Sequence, residues 1–161
     1  LNLGDLDRKY LWHPYTQMRD WVASDIRIIR EAKGSWLIDT ENRRYLDGVA
    51  SMWCNVWGHG REEIVKAMAE QAKRVQHSTL FGLANEPSIL LANMLVKHAA
   101  GMSRVFYSDN GSTAVEVALK MALQYWHNKG RENNRFIALQ NGYHGDTIGA
   151  MSVGYIPHFF S

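Results

Sequence analysis

Asp109-Asn110-Gly111-Ser112 stands between a β-favouring run, residues 104–108, and a long helix-favouring run, residues 113–128. At such a junction the first backbone N–H groups of the helix point outward without intrahelical partners, at the positive end of the aligned peptide dipoles. Gly111 lets an anion approach the backbone, and the Ser112 hydroxyl can donate to a phosphate oxygen. Phosphate binding is the chemistry this turn offers, and the same residues also suit a helix cap and nothing more. Neither G-x-x-x-x-G-K-S/T nor G-x-G-x-x-G is present at this turn, so a smaller phosphate ester fits better than a nucleoside triphosphate or a dinucleotide. Asn141-Gly142-Tyr143-His144-Gly145 follows a second β-favouring run, residues 135–139. It falls at the same end of the same sheet. There Tyr143 or His144 can lay a ring over a flat ligand, or simply pack.

The other reactive side chains are scattered. The histidines are His13, His59, His77, His98, His127, His144 and His158, with no H-x-x-x-H and no His/Cys pair at ligand spacing, which argues against a metal. Cys54, the single cysteine, forms no internal disulfide and reads as a small apolar filler rather than a nucleophile. Lys120 follows the phosphate turn along a helix and belongs to a polar face with Glu116, Gln124 and His127.

The elements that must position these groups follow from periodicity. Residues 1–25 alternate aromatic and polar groups without a period and read as an irregular arm lying on another surface. Its Tyr10, Trp12, Tyr15 and Trp21 are too many aromatics to leave in water. Short β-leaning runs at 26–30, 35–40 and 44–47 predict a small antiparallel element. Residues 48–60 mix glycines with Trp53 and Trp57, as a loop lining a cleft does. Residues 61–76 and 87–101 read as helices, the second opening on Pro87. Strand 104–108, helix 113–128 and strand 135–139 make a βαβ unit, hence a parallel sheet with sites at the carboxyl ends of its strands. Ala114, Ala118 and Ala122 offer that sheet a smooth helix face.

The 161 residues, 46% hydrophobic and 21% charged with a formal net charge of +2, match an ordinary globular composition. With no basic block and no apolar run near the roughly 20 residues a membrane span needs, nucleic acid and membrane are not expected partners. A cytoplasmic protein is expected. The start at Leu1 and the uncharged end at 156–161 read as an incomplete chain.

Leu11-Trp12-His13-Pro14-Tyr15-Thr16-Gln17-Met18, Asp47-Gly48 with Trp53, the run Ser108 to Lys120 and Asn141 to Thr147 together resemble the class III pyridoxal-phosphate aminotransferases, especially those of biotin biosynthesis. The resemblance covers nearly the whole chain in the expected order. It implies an α/β fold, the amino-terminal portion of a fold-type I transferase. Residues 1–60 would form an arm and small-domain segment, and residues 61–161 the start of the large parallel-sheet domain. It implies pyridoxal 5'-phosphate as cofactor, with Asn110, Gly111 and Ser112 at the phosphate and Tyr143 stacked on the ring. Position 110 is commonly Ser in the biotin-pathway members. Tyr15, Trp53 and Tyr143 would line the substrate pocket, with supporting roles for Glu116 and Asp146. The implied reaction converts 8-amino-7-oxononanoate to 7,8-diaminononanoate, with S-adenosyl-L-methionine or lysine as donor, in a homodimer. The Schiff-base lysine, the aspartate facing the pyridine nitrogen and a partner-donated threonine are expected beyond position 161. An ω-amino-acid aminotransferase and a non-catalytic fragment are the alternatives.

Overall fold

The computed structural model describes residues 2–154 and 156, and the chain forms two compact units, Leu1–Thr79 and Leu80–Ser161. The last residues of the sequence, 157–161, with His158, lie outside the described residues.

In the first unit the arm is not irregular: it holds two helices, α1 (Leu3–Tyr10) and α2 (Met18–Ala23). Asn2 caps α1 by accepting the Gly4 N–H at 2.9 Å, with Asp5 in the first turn and Arg8 and Lys9 in the last, as the helix dipole favours. What joins the helices is polar. The Asp7 carboxylate accepts the Trp21 indole N–H at 2.7 Å and the His13 Nε2–H at 2.8 Å, while the Arg8 guanidinium donates to the carbonyls of Val22 and Ser24. α1 has an apolar spacing of its own in Leu3, Leu6 and Tyr10, whereas the bonds that fix it to α2 link residues 14 and 16 positions apart and follow no period.

The expected antiparallel element is present as β1 (Ile29–Lys33), β2 (Trp36–Asp39) and β3 (Arg44–Leu46), in the order β1-β2-β3. Lys33 pairs with Trp36 across Gly34-Ser35, and Trp36 with Leu46 on the other side. Asp39 builds the second turn. Its fully buried carboxylate accepts the N–H groups of Glu41 and Arg43, the Arg43 Nε–H at 2.7 Å and the Tyr45 hydroxyl at 2.9 Å. Burial alone would raise its pKa, but the Arg43 guanidinium and the other donors outweigh burial and hold it at about 2, against 3.8 in an unstructured chain. A carboxyl with a lowered pKa contributes stability that is complete above the unfolded value and is lost as pH falls through the folded one. The β2–β3 turn is therefore expected to hold above about pH 4 and to loosen as pH falls toward 2. Amide exchange at Glu41 and Arg43 measured across that window checks it; protection independent of pH would contradict it.

After the sheet come a four-residue turn, α3 (Ala50–Trp53), and the expected amphipathic helix, α4 (Glu62–Arg74), with Glu62 and Glu63 in its first turn.

The second unit contains α5 (Glu86–His98), α6 (Gly111–Asn128) and α7 (Ile148–Ser152). Asn85 caps α5, whose first turn includes Pro87. The parallel strands of the sequence reading are not formed as a ladder: among the described residues the only sheet is β1-β2-β3, and residues 104–108 and 135–139 carry no ladder pairing. Val105 and Tyr107 are nonetheless half-buried between exposed Arg104, Phe106 and Ser108, so the alternation of a strand survives in 104–108. Alternation sets which side chains turn inward, whereas a strand also needs a neighbour for its N–H and C=O groups. The alanine face of α6 is likewise uncovered at Ala114 and Ala118. Glu116, expected on the solvated face, is half-buried against α7.

Candidate functional site

α6 begins two residues earlier than its pattern suggests, and this decides which N–H groups remain free. Asn110 is the cap: its side-chain oxygen accepts the Thr113 N–H at 2.9 Å, and the Thr113 hydroxyl oxygen accepts the Asn110 N–H at 3.2 Å, a closed capping box. The Ala114 N–H goes to the Asn110 carbonyl at 3.0 Å. That leaves the N–H groups of Gly111 and Ser112, for which no acceptor is found among the described residues. A Cβ placed on Gly111 would meet nothing within 4 Å, so the space beside Gly111 is open. Two donors without a partner among the described residues, at the positive end of an 18-residue helix and beside open space at Gly111, are an arrangement that suits an anion, here called the cradle. Capping and anion binding thus coexist. The Asn110 side-chain oxygen serves the cap, and the backbone serves the anion.

The Ser112 hydroxyl has a different task from the one its sequence context suggests. It donates to Thr147 Oγ1 at 2.8 Å and accepts the Thr147 N–H at 3.0 Å, so its only proton is committed. Thr147 in turn hydrogen-bonds Glu116, whose Oε1 accepts the Gly149 N–H at 2.7 Å. These bonds, that from Thr147 first and those from Gly149 and Ala150 after it, hold the Glu116 carboxyl below the usual carboxylate range against the opposing effect of burial. The start of α7 is in this way bolted to the start of α6. The contact is close enough to require glycine twice. A Cβ on Gly145, where φ is +119°, would run into the Ser112 side chain and lie 2.7 Å from its Cα; a Cβ on Gly149 would run into the Glu116 carboxylate.

Tyr143 lies in the loop before this bolt, half-exposed, with its hydroxyl donating to Asp146 at 2.6 Å. Loop and helix start belong to one unit, and the loop reaches Ser112 through Gly145 and Thr147. Tyr15 and Trp53 belong to the other unit, and both project into solvent, 77% and 73% exposed. Trp53 ends α3, all four residues of which, Ala50, Ser51, Met52 and Trp53, have positive φ (49°, 48°, 60° and 73°). Such a left-handed turn of L-residues costs about 1–2 kcal/mol per residue and persists only where its surroundings over-determine it. Here Asp47 does so, accepting the Ser51 N–H and hydroxyl at 2.9 Å each and the His59 Nε2–H at 2.7 Å. Those bonds, that to the Ser51 backbone first and that to His59 second, lower the Asp47 pKa to about 2. A cavity of about 460 Å³ lies beside the turn, lined by Gly34, Asp47, Trp53, Val56 and His59 among others.

Thr147, Gly145 and the Asp47–His59 pair were not legible as site residues. Thr147 and Ser112 are 35 positions apart, and the pair of small residues flanking Thr147 at four-residue spacing is the only local hint of a close approach. Among the described residues no three His, Cys, Asp or Glu side chains cluster as a metal site would require. Within the same limits, no helix is long and apolar enough to cross a membrane.

The model of the family described as "Aminotransferase class-III" matches residues 18–157. The adenosylmethionine-8-amino-7-oxononanoate aminotransferase of Geobacter sulfurreducens is 54% identical over 159 residues, 98% of this chain and 35% of that protein. Its namesake from Methanocaldococcus jannaschii is 50% identical over 92% of this chain and 32% of its own length. The crystal structure of the Methanocaldococcus jannaschii enzyme superposes with a TM-score of 0.92 at 49% identity, covering 94% of this chain and 35% of that one. An (S)-enantioselective omega-transaminase from Thermomicrobium roseum also reaches 0.92, at 33% identity over 98% of this chain and 36% of its own. The chain spans about a third of the length of the curated relatives it matches.

Proposed function

Since this chain belongs to the class-III aminotransferases, a family whose α/β fold it shares in part, we propose that it serves a pyridoxal 5'-phosphate-dependent aminotransferase of biotin biosynthesis that converts 8-amino-7-oxononanoate to 7,8-diaminononanoate. The observation that carries the cofactor is the open cradle of the Gly111 and Ser112 N–H groups. Substrate choice rests on the 38–54% identity to relatives bearing that enzyme's name, because omega-transaminases share the fold equally well at 28–33%. S-adenosyl-L-methionine is the donor this reading favours, with lysine as the alternative, and the working form is a cytoplasmic homodimer.

When bound, pyridoxal phosphate supplies the electron sink through which an amino group passes from donor to acceptor. The rest is the work of this chain's residues. Gly111 and Ser112 would hold the phosphate with their N–H groups, with Asn110 shaping the cap beside it. Tyr143, its hydroxyl tied to Asp146, would hold the cofactor ring. Tyr15 and Trp53 are assigned to the keto acid as apolar walls for its acyl chain, and Tyr143 is assigned to substrate as well as to cofactor. The full-length protein, given 8-amino-7-oxononanoate and either donor, is expected to form 7,8-diaminononanoate, detected by mass. Turnover only of ω-amino acids with pyruvate would overturn the proposal.

Ser112→Ala removes the hydroxyl that anchors the cradle to Thr147 but leaves both cradle N–H groups. One neutral hydrogen bond is worth about 0.5–1.5 kcal/mol net, so affinity for pyridoxal phosphate is expected to fall roughly 2- to 12-fold while affinity for unphosphorylated pyridoxal stays unchanged. Equilibrium dialysis with both ligands measures this. A loss of a hundredfold would mean that the hydroxyl leaves Thr147 and bonds the phosphate itself.

A further inference from the structure

Tyr15 and Trp53 share two uncommon features: each is a large aromatic left exposed, and each has a left-handed backbone, with φ of 52° and 73°. An aromatic in water gains nothing from burial, and a left-handed L-residue is strained, so the exposed Trp53 ring is not explained by the stability of its own unit. Each also sits beside an Asp–His hydrogen bond. His13, two residues before Tyr15, donates Nε2–H to Asp7 at 2.8 Å, gives its backbone N–H to the Met18 sulfur at 3.4 Å and lies against the Trp21 ring with centroids 4.2 Å apart. The segment carrying Tyr15 is therefore pinned to both α1 and α2.

Around Trp53 the arrangement is tighter. His59 is fixed by its backbone, which exchanges two hydrogen bonds with Gly34 at 2.8 and 2.9 Å, and Asp47 donates its N–H to the Ser35 carbonyl at 2.9 Å. The hairpin tip thus anchors both ends of the loop 47–59. Inside that loop the Asp47 carboxylate spans from His59 to Ser51, the middle of the left-handed turn that ends on Trp53. The side chains of Asp47 and His59 are 4% and 15% exposed, so the pair is shielded from competing water.

We propose that the Asp47–His59 and Asp7–His13 pairs are positioning residues, holding Trp53 and Tyr15 as preformed aromatic walls of the keto-acid site. This rests on the reading of Trp53 and Tyr15 as substrate walls. Neither pair touches the substrate; each spends its bonds on keeping a strained aromatic in place, so that binding does not have to order the loop.

A double-mutant cycle on the full-length enzyme tests it, using His59→Ala, Trp53→Ala and the two combined. His59→Ala is expected to raise KM for 8-amino-7-oxononanoate roughly tenfold, as small misplacements of a binding group do, with kcat at saturating keto acid and the cofactor absorbance unchanged. His59→Gln, which can still donate an N–H to Asp47, restores most of the loss. The combined variant is no worse than Trp53→Ala alone. Multiplying effects would overturn the proposal, because His59 would then act independently of Trp53. An unchanged KM in Trp53→Ala by itself would refute the wall reading, and that result is read from the single variant before the cycle is closed. Should His59→Ala not fold, Asp47→Asn enters the same cycle. Asp7→Asn with Tyr15→Ala repeats it on the arm, and additivity there removes the Asp7–His13 half of the proposal.

Discussion

Replacing Gly145 by alanine is expected to yield a full-length protein that melts at a markedly lower temperature and is purified without its cofactor. At φ +119° an L-residue is strained, and the added Cβ would lie 2.7 Å from the Ser112 Cα, a backbone atom of the α6 first turn that cannot swing aside. Strain of this kind costs about 1–3 kcal/mol and overpacking a similar amount, so the combined loss is about 2–5 kcal/mol. Ser112 carries one of the two cradle N–H groups, and anything that moves its Cα moves that donor. Gly111→Ala is the matched comparison. Its Cβ meets no protein atom within 4 Å, so the fold is expected to be untouched while the methyl group enters the open space beside position 111 and weakens phosphate binding. Thermal unfolding and cofactor titration of the two variants separate the cases. A Gly111→Ala protein that binds pyridoxal phosphate normally would remove the cradle from the proposed function.

Trp53→Ala is expected to raise KM for 8-amino-7-oxononanoate about 10- to 150-fold, the equivalent of the 1.5–3 kcal/mol that burying a large apolar side chain against a ligand contributes. The ring is 73% exposed on its unit, so its loss there is a surface substitution, with an effect on unfolding within about 0.5 kcal/mol. Trp53→Gly sharpens the comparison. Glycine adopts the φ of +73° without strain, so this variant relaxes the turn and still loses the wall. Steady-state kinetics and thermal unfolding on both variants decide between wall and core. A collapse of the melting temperature with KM unchanged would make Trp53 a core residue and end its assignment to the substrate.

Short-range chemistry in this chain was open to reading without coordinates. The three β runs, the helices at 62–74 and 86–98 and a helix start close after Asp109 each depend on neighbours within a few positions. Turn formers, caps and apolar spacing act over that range, so residue order carries them directly. The anion cradle belongs to the same group. Which N–H groups remain free follows from where the helix begins, whereas the task of the Ser112 hydroxyl does not, because its proton goes to Thr147.

The order of residues predicts a helix start after the 109–112 turn and a cluster of aromatics around Pro14 and Gly48; folding alone assigned the hydrogen-bond partners in those segments. Ser112 meets Thr147 from 35 positions away, and Trp21 meets Asp7 from 14, through single polar bonds that follow no period. Asp47 and His59 are 12 apart in sequence but adjacent because both hang from the tip of the β1–β2 hairpin, and only that geometry keeps α3 left-handed. Residues 104–108 and 135–139 show the converse: a β-favouring run is written in the chain, but a strand is a relation between two backbones, and the described residues do not pair these. Local preference is a property of a segment, whereas hydrogen-bond partnership across the fold depends on where other segments arrive.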